Sequence, residues 1–177
     1  MIVRFSGFGG QGIVLSGYIY GSAAVKDGKR VVQTQSYGSE SRGGGCRSDV
    51  LVSEEEIYEL APTRLDVLVA MSQRALDTYL PDLAPGGVLL VEEDLVEPGE
   101  RAPGRTFGIG ATDIAFKKFG RKIMANMVML GFTGAVVGAV SRGSLEAAVR
   151  ENVPPGTEEK NLAAFAEGWR LGERVHA

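Results

Sequence analysis

The residues best equipped for chemistry lie between Tyr37 and Asp49. There Y-G-S-E-S-R-G-G-G-C-R-S-D gathers four glycines, two arginines, two acids and a tyrosine. No helical or strand period runs through its first half. Gly38, Gly43, Gly44 and Gly45 allow φ > 0 or a close approach of backbone to a ligand. Tyr37, Glu40, Ser41 and Arg42 add stacking, charge and hydrogen bonding within a few positions. The stretch reads either as a glycine-rich connection between two strands or as a recognition loop held by a scaffold. Flexible linkers seldom concentrate opposite charges so tightly, which favours the second reading.

A second glycine cluster opens the chain. Gly7-Phe8-Gly9-Gly10-Gln11-Gly12 follows a strand-like run, Ile2–Phe5, and precedes a helical stretch ending near Lys26 and Asp27. Gly7-x-Gly9-x-x-Gly12 has the pattern and context of the dinucleotide fingerprint. Glycines at Gly9, Gly10 and Gly12 and the amides of a helix N-terminus could hold an anion or a phosphate-bearing group. The alternative is that they only permit tight strand–helix packing. A full dinucleotide site also needs an acid at the end of the second strand. Val31-Val32-Gln33-Thr34-Gln35 supplies none, which counts against a stand-alone NAD or FAD enzyme. Gln11 stands where it could donate to a ligand or cap the loop.

Composition narrows the rest. A chain of 177 residues with 44% apolar content is expected to form one domain with a substantial core. A net charge of −3 argues against non-specific nucleic-acid binding. One cysteine, Cys46, rules out an internal disulfide framework, and a reduced thiol is compatible with the cytoplasm. With one histidine, His176, the chain lacks the ligands of a zinc or iron–sulfur site. No metal centre and no resident cofactor are expected, and any redox metal belongs to a partner. Cys46, without a neighbouring histidine, reads as a small inert filler. No signal peptide is read at the start of the chain. Ile123–Val140 is uncharged and contains Gly134 and Gly138 at GxxxG spacing, but Asn126 and the glycines make it a buried helix rather than a membrane span.

The elements that would position these residues follow in order. Strands are expected at Ile2–Phe5, Val31–Gln35, Arg47–Ser53, Leu65–Met71, Val88–Val91 and Thr106–Ile109. The strand–glycine loop–helix–strand opening favours a parallel sheet. Arg47–Ser53 alternates as a half-exposed strand with Val50 and Val52 on one face. Ser53 with Glu56 resembles a capping box for a short helical turn. A helix capped by Ser72 should run to about Leu83, where Pro85-Gly86-Gly87 breaks it. Glu92 to Gly104 reads as a surface excursion. Helices are expected at Ala111–Phe119, Met124–Val140, Leu145–Val153 and Thr157–Val175, with Trp169 in the core or a subunit interface. The fold class is α/β: a three-layer sandwich around a largely parallel or mixed sheet, with a Rossmann-like opening and a helical C-terminal third.

With both glycine stretches in view, the chain resembles the gamma subunits of the 2-oxoacid:ferredoxin oxidoreductases. The resemblance rests on Gly7-Phe8-Gly9-Gly10-Gln11-Gly12 and on Tyr37-Gly38-Ser39-Glu40-Ser41-Arg42-Gly43-Gly44. Ser48-Asp49-Val50 with Ser53, and Asn126 with Leu130-Gly131, also fit, and the similarity runs over nearly the full length. It implies a subunit that binds no cofactor alone and is inactive in isolation. Thiamine diphosphate and iron–sulfur clusters would lie in partner alpha, beta and, in some members, delta subunits, with coenzyme A as co-substrate and ferredoxin as acceptor. The resemblance places the glycine loops toward coenzyme A. It makes Arg42, oriented by Glu40, the candidate for a coenzyme A phosphate or a neighbouring subunit's carboxylate, with Tyr37 stacking at the interface. An intrachain pair of Arg42 with Glu40 or Asp49 is the structural alternative. The substrate leans to 2-oxoglutarate or a general 2-oxoacid. A chain deprived of partners would expose an apolar interface and self-associate. A stand-alone nucleotide-binding oxidoreductase and a purely structural adaptor are the competing readings.

Overall fold

The computed structural model describes residues 1–37, 45–58, 63–101 and 105–175. Six strands form one mixed sheet: β1 (Ile2–Phe8), β2 (Arg30–Tyr37), β3 (Gly45–Ser53), β4 (Leu65–Ala70), β5 (Leu83–Glu92) and β6 (Thr106–Ile109). Their spatial order is β2-β3-β1-β4-β5-β6. β4 pairs parallel with β1 and β5, and β5 pairs parallel with β6. β3 pairs antiparallel with both β1 and β2.

That insertion selects the mixed form of the expected sheet and corrects one expectation. β2 runs in the same direction as β1, as a strand–helix–strand unit requires, but β3 is wedged between them. The sheet is therefore mixed at this end. β3 is also not half-exposed: Ser48 through Val52 are all buried, because a strand flanked on both edges and packed on both faces has no solvent side.

Helices cover the two faces unequally. α1 (Ile13–Lys26), α3 (Ala111–Phe119), α4 (Ala125–Val137), α5 (Arg142–Asn152) and α6 (Glu158–Glu173) enclose the larger core, which includes Phe5, Tyr20, Val50, Val69, Leu130 and Phe165. The short α2 (Gln73–Tyr79) covers a smaller cluster with Leu65, Leu68, Leu76 and Leu89. Local chemistry sets the ends. Ser72 Oγ accepts from the Ala75 N–H at 3.2 Å, and Ser141 Oγ accepts from the Ser144 N–H at 3.3 Å. Left-handed glycines Gly120 and Gly138 terminate α3 and α4. α2 stops at Tyr79 and a single 3₁₀ turn, Leu80–Asp82, leads directly into β5, so Pro85 and Gly86 lie within a strand. Ser53 Oγ does accept from the Glu55 N–H at 3.0 Å, but the segment is a bend and no helix follows it among the described residues.

The centre of the uncharged run, Ala125–Val137, is a buried helix as its composition implied, but Gly138 ends it short of Val140 and Ile123 is half exposed. Glycines let α4 and α6 touch backbone to backbone. A Cβ on Gly131 would lie 2.0 Å from Phe165 O, and one on Gly168 would lie 1.8 Å from Val128 O. Among the described residues, no helix is long and apolar enough to cross a membrane.

Candidate functional site

Strand register brings together the residues that flank the two glycine stretches. β1 and β3 run antiparallel with Gly7 opposite Cys46 and Phe8 opposite Gly45, while Tyr37 on β2 also faces Cys46. Phe8, Tyr37 and Gly45 thus lie at the same end of the sheet. Tyr37 is 63% exposed there. Gly38, Glu40, Ser41, Arg42, Gly43 and Gly44 lie outside the described residues.

The glycine loop is tied down by its own side chain. Gln11 Oε1 accepts from the Phe8 N–H at 2.9 Å, and Gln11 Nε2 donates to Met71 O at 2.7 Å. Both functions of the amide are used within the chain, so Gln11 caps the loop and pins it to the end of β4. A Cβ on Gly7 would sit 2.3 Å from Gln11 Oε1 and so would displace the side chain that holds the loop. Gly12 is doubly constrained: its φ is +73°, and a Cβ would meet Asn126 Nδ2 at 2.3 Å. Asn126, near the start of α4 and 6% exposed, is thereby seated against the loop. Gly10 differs: its φ is +99°, yet a Cβ would meet nothing within 4 Å. α1 starts with no side-chain cap and no acid in its first turn, which leaves its leading amides compatible with an anion.

Phe8, 39% exposed, lies between two cavities. One, of about 330 Å³, is bounded by Gly10, Gln11, Met71, Leu95, Lys122 and Ile123. It opens between the ends of β1 and β4, where the chain's connections diverge to opposite sides, the usual position of a ligand crevice in such sheets. The other, of about 290 Å³, lies beneath α2 and is more polar, with Ser36, Ser72, Arg74, Thr78 and Tyr79 at its walls. β2 is separated from β1 by β3, so the end of the second strand does not adjoin the glycine loop as it does in a dinucleotide site.

Under this end of the sheet lies a charged cluster that the sequence reading passed over. Arg4, 2% exposed, donates from Nε to Asp49 Oδ1 at 2.5 Å and from Nη2 to Asp49 Oδ2 at 2.8 Å. Its Nη1 reaches Asp82 Oδ2 at 2.6 Å, and its guanidinium stacks 4.9 Å from the Tyr79 ring centre. Burial alone would lower the Arg4 pKa, but the bonds and charges of Asp49 and Asp82 reverse this and raise it. Arg47 lies 5.6 Å from the centre of the same ring, with its Nε 3.9 Å from Asp49. Asp49 is thus engaged by Arg4 within the chain. A lone arginine in I-V-R-F was the available signal, since strand alternation puts it opposite Val3 and Phe5, on the face away from α1.

Two other groups fit structural roles. Cys46 is buried, and that burial pushes its thiol pKa up, as suits an unreactive side chain. Trp169 packs on Phe165 and donates from Nε1 to Glu173 Oε1 at 2.8 Å. Glu92, at the end of β5, is fully buried. Burial and the nearby Asp94 raise its pKa despite the Thr112 N–H that Oε1 accepts. Among the described residues, no cluster of three or more metal-ligating side chains occurs.

A family model described as pyruvate ferredoxin/flavodoxin oxidoreductase matches residues 2–171. The chain belongs to this family. It is 45% identical over 176 residues to a 2-oxoglutarate synthase subunit, KorC, of Methanocaldococcus jannaschii, covering 98% of this chain and 94% of that one. A solved keto/oxoacid ferredoxin oxidoreductase gamma subunit from Geobacter sulfurreducens superposes with a TM-score of 0.84 at 41% identity, covering 99% of both chains. A 2-oxoglutarate:ferredoxin oxidoreductase from Magnetococcus marinus, solved with 2-oxoglutarate, coenzyme A and succinyl-CoA, gives a TM-score of 0.87 at 26% identity. There the match covers 98% of this chain and 31% of the longer one, so this fold also occurs as part of a larger polypeptide.

Proposed function

We propose that the chain is the gamma subunit of a multi-subunit 2-oxoacid:ferredoxin oxidoreductase acting on 2-oxoglutarate. The observation that carries this reading is the 45% identity to a 2-oxoglutarate synthase subunit over nearly the whole of both chains. The complete enzyme would convert a 2-oxoacid, coenzyme A and oxidised ferredoxin into acyl-CoA, carbon dioxide and reduced ferredoxin. Thiamine diphosphate and iron–sulfur clusters would reside in alpha, beta and, where present, delta subunits, and the chain would act as one domain of a cytoplasmic complex.

Within that complex the shared strand end is the side turned toward coenzyme A. Gly9, Gly10 and Gly12 would present backbone amides to phosphate, with Gln11 holding their loop in place. Arg42, oriented by Glu40, would bind a coenzyme A phosphate or a partner carboxylate, and Tyr37 would stack beside it. The adjacency of Phe8 with Gly45 supports this grouping, because the two residues belong to stretches separated by twenty-four residues of sequence. The apolar crevice beside Phe8 offers a surface for the uncharged part of the same ligand.

The test is recovery of the tagged chain from its native extract, with mass spectrometry and an assay of 2-oxoacid- and coenzyme A-dependent viologen reduction. Thiamine- and cluster-bearing subunits should copurify, with 2-oxoglutarate the preferred acid. Recovery of the chain alone with a bound nucleotide would overturn the subunit reading. Arg42→Ala should raise the KM for coenzyme A or weaken assembly, and no change in either would remove Arg42 from the site.

A further inference from the structure

The two edges of the sheet are unlike. β6 is four residues long, and a Cβ on its Gly108 would run into Glu93 at 2.6 Å. β2 is eight residues long, and its ladder to β3 runs from Arg30 to Tyr37 without a register shift. None of its residues is fully buried. Among the described residues, no backbone hydrogen bond reaches β2 other than those of its ladder. Its outer N–H and C=O groups therefore form an open template for another strand.

Natural sheets blunt such edges with lysine, proline, bulges or short strands. R-V-V-Q-T-Q-S-Y has none of these devices, and its only charge is Arg30 at the first position. An edge kept long, unbroken and nearly uncharged is suited to being paired.

We propose that β2 is a homodimer interface, joining the sheets of two copies antiparallel across a two-fold axis at Thr34. Each chain has a single long edge, so pairing β2 with β2 closes at two copies and leaves only the short β6 edges outside. The axis must stand normal to the sheet, which keeps the same face of both copies on the same side, so only residues of like parity can face each other. Centring on Thr34 sets Thr34 against Thr34, Gln33 against Gln35, Val32 against Ser36 and Val31 against Tyr37. The first and last of these are threonine–threonine and β-branched–aromatic pairs of the kind that stabilise antiparallel ladders. It also leaves Arg30 outside the strand pairing. Centring on Gln33 is inferior, because the Gln33 amide already donates to Ser48 Oγ at 2.8 Å and Tyr37 would lose its partner strand. This inference does not depend on the subunit reading above.

The experiment is sedimentation velocity of the 177-residue chain across micromolar concentrations, with circular dichroism and Tm confirming that each variant is folded. The chain should sediment at twice 18.8 kDa. Thr34→Lys and Thr34→Glu should each fall to the monomer mass, because like charges would meet on the axis. Mixing the two should restore the dimer as a heterodimer. If either variant fails to fold, Thr34→Cys in a Cys46→Ser background provides the second measurement, and oxidation should trap a disulfide-linked dimer. A monomeric parent chain, a dimer untouched by Thr34→Lys, a mixture that stays monomeric, or no crosslink would each overturn the proposal. A strand contributed by a foreign partner would show as the first of these outcomes.

Discussion

Where α4 crosses α6, and where β1 and β3 end, the chain is rich in glycine for different reasons. In the helix crossing the glycines are there for volume: Gly131 and Gly168 let carbonyls of the opposite helix occupy the space of a Cβ. At the strand ends they are there for backbone geometry, with Gly10 and Gly12 at positive φ and Gly10 facing open space. Gly12 joins the two regions, because it has both the positive φ and the contact with Asn126 near the start of α4. The first arrangement fastens the helical layer, and the second shapes an exposed end of the sheet. Glycine content alone does not distinguish a packing device from a candidate site; what surrounds each missing Cβ does.

That contrast can be broken or sharpened by substitution. The largest effect is expected in the crossing: Gly168→Ala forces the helices apart and should destabilise the fold by about 3 kcal/mol or more, read from urea unfolding. A loss under about 1 kcal/mol would show that the crossing relaxes freely, contrary to the close packing of protein interiors. Next comes the charge cluster under the strand ends. Asp49→Ala leaves Arg4 buried with only the half-exposed Asp82, and a loss of about 3 kcal/mol is expected for a broken buried pair. Arg4→Met with Asp49→Leu should recover much of it, since an apolar pair needs no desolvation.

Gly12→Ala should cost about 1–3 kcal/mol, combining a strained φ with the Asn126 collision. Adding Asn126→Ala should return part of that loss, and a double-mutant cycle would show the two residues coupled. Gly10→Ala should cost about 1 kcal/mol of stability, from φ alone. In the assembled complex it should weaken coenzyme A binding more than assembly, if the loop serves as proposed.

The smallest effect is a pH dependence far from both glycine regions. Asp27 accepts from Ser141 N–H, Ser141 Oγ and Ser144 Oγ at 2.6–2.7 Å, linking the end of α1 to the start of α5. Burial would raise its pKa, but these bonds outweigh it and the pKa is lowered from the ordinary 3.8. The folded state therefore binds this proton less tightly than the unfolded chain. The contribution is fully present above pH 3.8 and fades as pH falls through the folded value. Asp27→Asn should flatten that part of the acid-unfolding profile and leave its neutral-pH limb unchanged in slope.

Local signals in the sequence proved legible because they act over a few residues. Ser72 as a cap, Gly28 after α1, the bounds of α3 and the break at Pro154-Pro155-Gly156 all depend on hydrogen bonds or dihedrals set by near neighbours. The burial of the uncharged run was legible too, since its composition permits little else in a folded domain. The two glycine motifs were visible as motifs. That Phe8 would lie opposite Gly45 was not, because it follows from β3 folding back between β1 and β2.

The same distinction marks the limit of the sequence. It determined the order of strands and helices, the poverty of metal ligands and the family to which the chain belongs, all carried by residue types and short spacings. Only the tertiary structure decided that Arg4 is a buried charge held by Asp49 and Asp82, and that Gln11 is spent on its own loop. It likewise decided that the glycines of α4 and α6 serve close packing and that β2 stands at an open edge. Each of these depends on which distant segment occupies the neighbouring space, and long-range pairing of strands and helices is settled by the whole core together rather than by any window of sequence.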